Sequence, residues 1–341
     1  MYVPFGSGTE YDENSVLRYN LNELSLRTIA LQPTVAYKVN EQHSVALGVV
    51  AQNSKAKLRQ YANFGAFAGA NGMADGYGMA DGYAKVDGDD WGFGYNLAWM
   101  WDINERARVG VNYRSKVDHN LSGDAEWNLV GPGFANPLFA PQIRGAGYAE
   151  KEDASVKITT PESLSLHGMY KIDPKWNVYG DVTWTRHSRF SRADLMWGNE
   201  KDVTADENGN AKSNKTTLNP NWRNTYKVSL GASYQYSEPL QLRAGIAYDQ
   251  SPVKNANYRM STLPDNDRIW LSMGAKYDIN RQHSVNVAYS HLFIKNATAN
   301  VNGYCGGDSA TSVACVSSKT NGSANFKSSA NILGLQYTYK F

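Results

Sequence analysis

No stretch of about eighteen consecutive apolar residues, the least a transmembrane helix needs, occurs anywhere in the 341-residue chain. Helical periodicity is hard to find at all. Cysteine is scarce: Cys305 and Cys315 are the only two, too few for a thiolate metal site or a disulfide scaffold. Charge of one sign is not in excess. With 34 Lys and Arg against 32 Asp and Glu the net charge is +2, which leaves no bulk electrostatic reason for a nucleic-acid partner. The six histidines, His43, His119, His167, His187, His283 and His291, show no metal-ligand spacing, so neither a metal nor a cofactor is expected. The start, Met1-Tyr2-Val3-Pro4-Phe5, has no charged segment, apolar segment and small-residue cleavage site before it, the parts an export signal needs.

Aromatic residues and glycine are abundant: 22 Tyr, 10 Phe and 9 Trp beside 30 Gly. Their placement follows a period of two. Leu333, Leu335, Tyr337, Tyr339 and Phe341 alternate with Gly334, Gln336, Thr338 and Lys340. Ile269, Leu271, Met273, Ala275, Tyr277 and Ile279 oppose Trp270, Ser272, Gly274, Lys276 and Asp278. The segments from Tyr226, from Leu240 and from Trp91 read the same way. A strand sends successive side chains to opposite faces, so each segment has one apolar face and one small or polar face. About eleven such segments occur, each near ten residues or longer, which suits a tilted strand crossing a bilayer. The fold class is all-β.

A soluble sandwich or small barrel turns its apolar faces inward. Two features point the other way. Tyr37, Trp101, Tyr170, Trp176, Tyr236, Tyr277 and Tyr339 sit near strand ends, as the interfacial girdles of a transmembrane antiparallel β-barrel do. The opposite faces carry Gly, Ser, Asn and charge, as a hydrated lumen does. Connections alternate in length: short at 40–43, 104–106, 173–175, 237–239 and 280–282, long near 62–89, 128–155, 193–221, 251–266 and 303–323. That pattern matches periplasmic turns and extracellular loops. A bacterial single-chain barrel needs an even strand count. The odd count, together with Met1–Phe5 reading as the upper end of one more strand, predicts that 1–341 is a partial barrel whose N-terminal portion and signal peptide lie upstream.

Loop motifs are open to sharper readings. The tandem Met73-Ala74-Asp75-Gly76-Tyr77-Gly78 and Met79-Ala80-Asp81-Gly82-Tyr83 reads as a low-complexity loop, with calcium binding as the alternative. Cys305 and Cys315 fall in one long loop facing the oxidising exterior, where a disulfide is expected. His187-Ser188 and His291 could be assembled into a hydrolytic site, but chance adjacency accounts for them and no catalytic constellation stands out.

Asp265-Asn266-Asp267-Arg268-Ile269-Trp270-Leu271-Ser272-Met273-Gly274, Tyr248-Asp249-Gln250-Ser251-Pro252-Val253 and Trp91-Gly92-Phe93-Gly94-Tyr95-Asn96 resemble segments of the FadL family of outer-membrane long-chain fatty-acid transporters. So do Tyr113-Arg114-Ser115-Lys116-Val117, Pro161-Glu162-Ser163 and Asp173-Pro174-Lys175-Trp176. The resemblance covers essentially the whole chain in order. It implies a monomeric barrel of about 14 strands plugged by an N-terminal hatch, of which the hatch and first two strands are absent here. It further implies an apolar pocket, and lateral release into the outer membrane beside a kinked strand, with Gly6 where that strand continues. Localisation in the outer membrane of a Gram-negative cell follows, with lipid and lipopolysaccharide as surroundings and the Phe341 terminus as the handle for barrel-assembly machinery.

A long acyl chain gains about 0.8 kcal/mol per buried methylene, and its carboxylate needs a basic partner if desolvated. Strand parity selects Arg114, Lys116, Arg243 and Arg268 as inward-facing candidates, with Trp270 lining an apolar pocket below Arg268. In the family a basic residue near the top of the strand ending at Leu58 helps hold the head group. The aligned inward position here is Gln60; Arg59 has outward parity and, with Lys55 and Lys57, is placed to meet lipopolysaccharide phosphates. The expected function is passive uptake of long-chain fatty acids or similar hydrophobic molecules without an enzymatic step. Uptake of aromatic hydrocarbons, a general porin and a lipid-hydrolysing barrel are the alternatives.

Overall fold

The computed structural model describes residues 1–15, 17–64, 78–202, 212–301 and 322–340. In chain order the strands are β1 (Gly6–Glu10), β2 (Glu23–Leu31), β3 (Thr34–Lys38), β4 (His43–Asn63), β5 (Asp81–Asp102), β6 (Ala107–Arg114) and β7 (Val117–Leu129). Next come β8 (Lys151–Thr160), β9 (Ser163–Lys171), β10 (Trp176–Thr185), β11 (Ala193–Asp202), β12 (Lys212–Leu218) and β13 (Thr225–Gln235). The last are β14 (Leu240–Asp249), β15 (Arg268–Asp278), β16 (His283–Ile294), β17 (Ala297–Val301), β18 (Gly322–Phe326) and β19 (Ser329–Tyr339).

Several of these are halves of one long run: β2/β3, β6/β7, β8/β9, β10/β11 and β12/β13. Every run pairs antiparallel with the runs before and after it. The sheet therefore goes up and down from β1 to β19, with β17 and β18 as a separate hairpin. Among the described residues no pairing joins β1 to β19. The architecture matches the alternation: eleven full runs and the short β1.

The register fixes the faces. Leu271 stands opposite Ile246, and Trp270 opposite Ala247, so aliphatic residues share one face and small or polar residues the other. Leu230, Met273, Leu333 and Leu335 are 64%, 64%, 76% and 77% exposed. A water-soluble sheet buries such side chains; here they form the outer surface, as lipid contact requires. At the short-turn end His43 stacks on Trp99 and Trp101 at 5.7 and 5.8 Å, and His283 packs on Tyr339 at 4.9 Å. These rings and their neighbours form one of the expected girdles.

The hydrophobic core lies elsewhere, in a head above the barrel. Here the structure corrects an expectation, because 81–89, 193–202 and 212–218 are strand and not loop. Lys55, Lys57, Lys85 and Asp87 project outward there, while Ala84, Val86, Ala125 and Trp127 project inward. The alternation persists, but its outer face is charged because it meets water and not lipid. Phe64, Trp127, Phe139, Ile143, Tyr148, Leu195 and Trp197 pack together inside. The short helix α1 (Phe139–Gly145) supplies two of them, four residues apart on one face. Glu152 crosses this core to Lys201 at 2.7 Å and accepts the Trp127 indole N–H at 2.8 Å, so the buried ion pair has its remaining acceptors engaged.

Head and barrel meet at a belt where the long runs break. Ser115-Lys116, Pro161-Glu162, 186–192 and 219–224 interrupt successive strands at one height. Proline cannot donate to a ladder, so Pro161 ends β8. Glu162 is buried beside it and takes a bidentate pair of bonds from Arg189 at 2.8 and 3.0 Å and one from Arg186 at 3.2 Å. Gly92 and Gly94 lie under the break in β6/β7. A Cβ there would sit 2.5 Å from Val117 Cγ1 and 2.6 Å from Ser115 Oγ respectively, so the two glycines between the outward Trp91, Phe93 and Tyr95 are a packing requirement.

The lipid-facing assignment has a direct test. Leu271→Arg is expected to cost about 2–4 kcal/mol in refolding into phospholipid vesicles, whereas the same change at the lumenal neighbour Ser272 costs far less. Equal costs at the two positions would contradict the assignment.

Candidate functional site

The inner face of the described strands lines a cavity of about 810 Å³ below the belt, from β3–β6, β9, β10 and β13–β15. Small residues make the room: Ala46, Ala98, Gly110, Gly231, Gly245 and Ala247 all project inward. Its volume is in the range of about 300–1,000 Å³ usual for small-molecule sites. Met100 and Met169 add flexible apolar surface.

The polar groups of the wall are mostly engaged with one another. Arg108 pairs with Asp102. His167 Nδ1 lies 2.6 Å from Asp181, whose other oxygen accepts from Thr183 at 3.3 Å. Tyr179 and Ser233 hydroxyls share a bond at 3.1 Å. Lys227 differs. It stands across the ladder from Asp249, but Asp249 accepts from Arg268 at 3.0 Å, and Lys227 Nζ sits 4.3 Å from the centre of the Trp270 ring. Among the described residues no carboxylate forms an ion pair with it.

Trp270 faces the cavity, as strand parity predicts, and its indole nitrogen is buried without an acceptor among the described residues. Arg268 also faces inward near the mouth, but it holds Asp249 and Asp265, each at 3.0 Å. Burial pushes the Asp265 carboxyl up despite that pairing. Arg268 thus ties the 250–267 connection to the barrel and is not a free cation. Arg114 faces inward with its guanidinium 4.5 Å from the Tyr2 ring. Arg243 is inward but bonds Gln241 at 2.8 Å near the short-turn end, away from the mouth.

Lys116 needs correction. One extra residue between Arg114 and Val117 shifts the register of β7 against β5 relative to β6. Lys116 lands on the outer face, paired with Asp118 at 2.6 Å. The basic residues assigned to lipopolysaccharide are also engaged: Lys55 and Lys57 with Asp87 at 3.1 and 3.3 Å, and Arg59 with Glu10, Glu13 and Glu23. Gln60 donates to the Tyr19 carbonyl at 3.0 Å. Asp81, from the tandem repeat, is buried between Arg18 at 3.0 Å and the Tyr19 hydroxyl at 2.6 Å, which accounts for it without calcium.

Gly6 itself is regularly paired, with Arg27. The irregularity lies just before it. Tyr2 pairs with Ala30, one residue out of step with Gly6, and Thr28 Oγ1 bonds both the N–H and the carbonyl of Phe5, at 2.9 and 2.7 Å. Pro4 occupies the middle of this bulge. Cys305, Cys315 and Phe341 lie outside the described residues. His187 and His291 do not share a site: His187 Nδ1 bonds Thr225 at 2.9 Å and His291 Nδ1 bonds Asn331 at 2.7 Å. Sequence reasoning passes over Lys227; its inward parity is visible, but its lack of a partner depends on which neighbours pair with each other.

A family model for outer membrane protein transport proteins (OMPP1/FadL/TodX) matches residues 1–341. The chain is 53% identical to "Putative outer membrane protein NMB0088" of Neisseria meningitidis serogroup B, over 100% of this chain and 73% of that protein. It is 28% identical to a long-chain fatty acid transport protein of Escherichia coli O6:H1, over 84% of this chain and 64% of that protein, so it spans well short of the full length of either relative. A Pseudomonas aeruginosa FadL homologue of known structure is similar with a TM-score of 0.80 at 23% identity, covering 99% of this chain and 73% of that one. The P. putida toluene transporter TodX gives 0.65 at 17% identity, covering 99% and 77%. Likeness at such identities speaks to the fold.

His187 gives the belt above the cavity an expected pH dependence. Burial lowers the His187 pKa from 6.5 to about 4, so the folded belt resists protonation that the unfolded segment accepts. Stability from this site is full above about pH 6.5 and is lost as pH falls toward about 4. Hydrogen exchange at residues 186–192 is expected to speed up across that window. His187→Gln is expected to flatten the dependence; an unchanged profile in that variant would contradict the assignment.

Proposed function

The chain belongs to the outer membrane protein transport family (OMPP1/FadL/TodX), and from that premise we propose that it forms a passive channel for hydrophobic molecules, long-chain fatty acids foremost. The observation that carries the reading is a cavity of about 810 Å³ enclosed by strands whose outer face is aliphatic and aromatic. An amphiphile crosses the hydrated lipopolysaccharide layer poorly. A lumen with apolar surface and scattered polar groups provides a path, since each buried methylene gains about 0.8 kcal/mol. Relatives named long-chain fatty acid transport proteins, from E. coli O6:H1 and Salmonella typhi at 28% and 27% identity, support that choice of passenger.

Exit is sideways in this reading. The bulge from Tyr2 to Phe5 breaks the regular register between the N-terminal segment and β2 beside Pro4. Movement of the passenger needs no bond making, so no residue is assigned a catalytic role. The working unit is a monomer in outer-membrane lipid.

Expression of the full-length gene in a Gram-negative host lacking its own fatty-acid channel tests the proposal. Oleate uptake is expected to rise severalfold while toluene uptake changes little. A rise for toluene alone would move the function to aromatic hydrocarbons, and no rise for either would overturn the channel reading.

A further inference from the structure

We propose that the connection between β14 and β15, residues 250–267, is a strap across the mouth of the barrel that lifts at its tip to admit a passenger. The inference rests on the channel reading above and supplies its point of entry. Neither β14 nor β15 pairs with β1 or with its neighbour β2. Yet the Tyr11 hydroxyl, one residue past the end of β1, donates to the Ser261 carbonyl. Met260 beside it packs against the head core built by Leu21, Leu58, Phe64 and Trp127, which belongs to the other side of the mouth. Ser261 and Thr262 are buried, and burial pushes the Tyr11 hydroxyl pKa up to about 12. The tip is therefore seated inside the mouth and not draped over its rim.

The two ends of the strap are held unequally. At the base Arg268 binds Asp249 and Asp265, each at 3.0 Å. Ser251 donates to Asp265 through its hydroxyl and to Asp267 through its N–H, each at 2.8 Å, and Arg259 donates to the Asp265 carbonyl at 3.0 Å. At the tip, among the described residues, the Tyr11 bond is the one that ties 260–262 to another segment. The Thr262 hydroxyl is buried there without a partner, which costs free energy only while the tip stays seated. A charged base, a single neutral latch and an unsatisfied hydroxyl in the closed state make a hinge with a weak catch. The head core is carried on strands paired along their length, so of the two obstacles above the cavity the strap is the one that yields. Met260 suits the tip because its unbranched side chain leaves and re-enters an apolar site with little steric demand.

Two measurements on the full-length protein, with Cys305 and Cys315 replaced by serine, test the strap. Spin labels at Asn14→Cys and Asn257→Cys report the distance from the strap to the segment beyond β1 in detergent micelles. With the latch intact one short distance is expected to dominate. Tyr11→Phe deletes the latch bond alone and is expected to raise a longer component about fivefold. Met260→Ala is expected to act in the same direction and decides the matter should Y11F lose the heat-modifiable gel shift of a folded barrel. A distribution unchanged by both substitutions would overturn the strap whatever the protein carries. In cells, a short bifunctional maleimide joining Tyr11→Cys to Met260→Cys is expected to cut oleate uptake about tenfold relative to the same variant capped with a monofunctional maleimide. Equal uptake by linked and capped protein would overturn the strap and leave the channel reading standing. Absence of uptake by the wild-type protein would overturn the channel reading, and the distance measurement would still decide whether the strap lifts.

Discussion

Everything this chain does depends on the register of one antiparallel ladder. Lipid offers no partner to a backbone amide or carbonyl, and each unsatisfied group there costs several kcal/mol, so the strands must pair along their whole length. Pairing with a period of two then decides which side chains meet lipid and which meet the lumen. A slip of one residue exchanges the two sets. From β13 to β19 the register has no break: Val228, Tyr248, Ile269 and Phe293 lie along one outward row, and Lys227, Asp249 and Arg268 along the inward row beside it. The cavity exists because that inward face alternates its few charged residues with glycine, alanine and serine.

Above the belt the same ladder serves a different solvent. The head strands bury Phe64, Trp127, Phe139, Ile143 and Trp197 among themselves, since water and not lipid lies outside, and they tolerate Lys55, Lys57 and Asp87 on the outer surface. Below it the described strands turn small and polar residues inward and hydrophobic residues outward. One continuous set of strands can make this inversion only where it is broken and re-aimed, and that is the work of Pro161, the Glu162–Arg189 pair and the extra residue at Ser115-Lys116. Pro161-Glu162-Ser163 and Gly92-Phe93-Gly94 thus serve as corner pieces.

The barrel is legible in the sequence because an apolar stripe of period two, ending in Tyr or Trp, suits hardly any surroundings but a bilayer. The head is not, since Lys85, Asp87 and Asp89 alternating with Ala84, Val86 and Gly88 look like a polar loop unless the inner residues are known to meet a core. Lys116 escapes the parity rule for a related reason: counting from Arg114 cannot register a bulge whose cause is the packing of Ser115 over Gly94. Among the lumenal cations, strand parity singles out Arg268 and passes over Lys227. In the folded arrangement Arg268 takes both Asp249 and Asp265, while Arg114, Lys227 and Arg243 form no ion pair among the described residues.

That distribution suits a conduit better than a receptor. A site on a transport path must attract its passenger and also let it go. A bidentate arginine in a dry pocket holds a carboxylate strongly, and such a grip would stall transfer. At the mouth the arginine is already occupied by aspartates, so it shapes the entrance without trapping what passes. The free energy for moving a hydrophobic molecule along such a path comes from transferring its apolar surface between water, a methionine-lined wall and lipid.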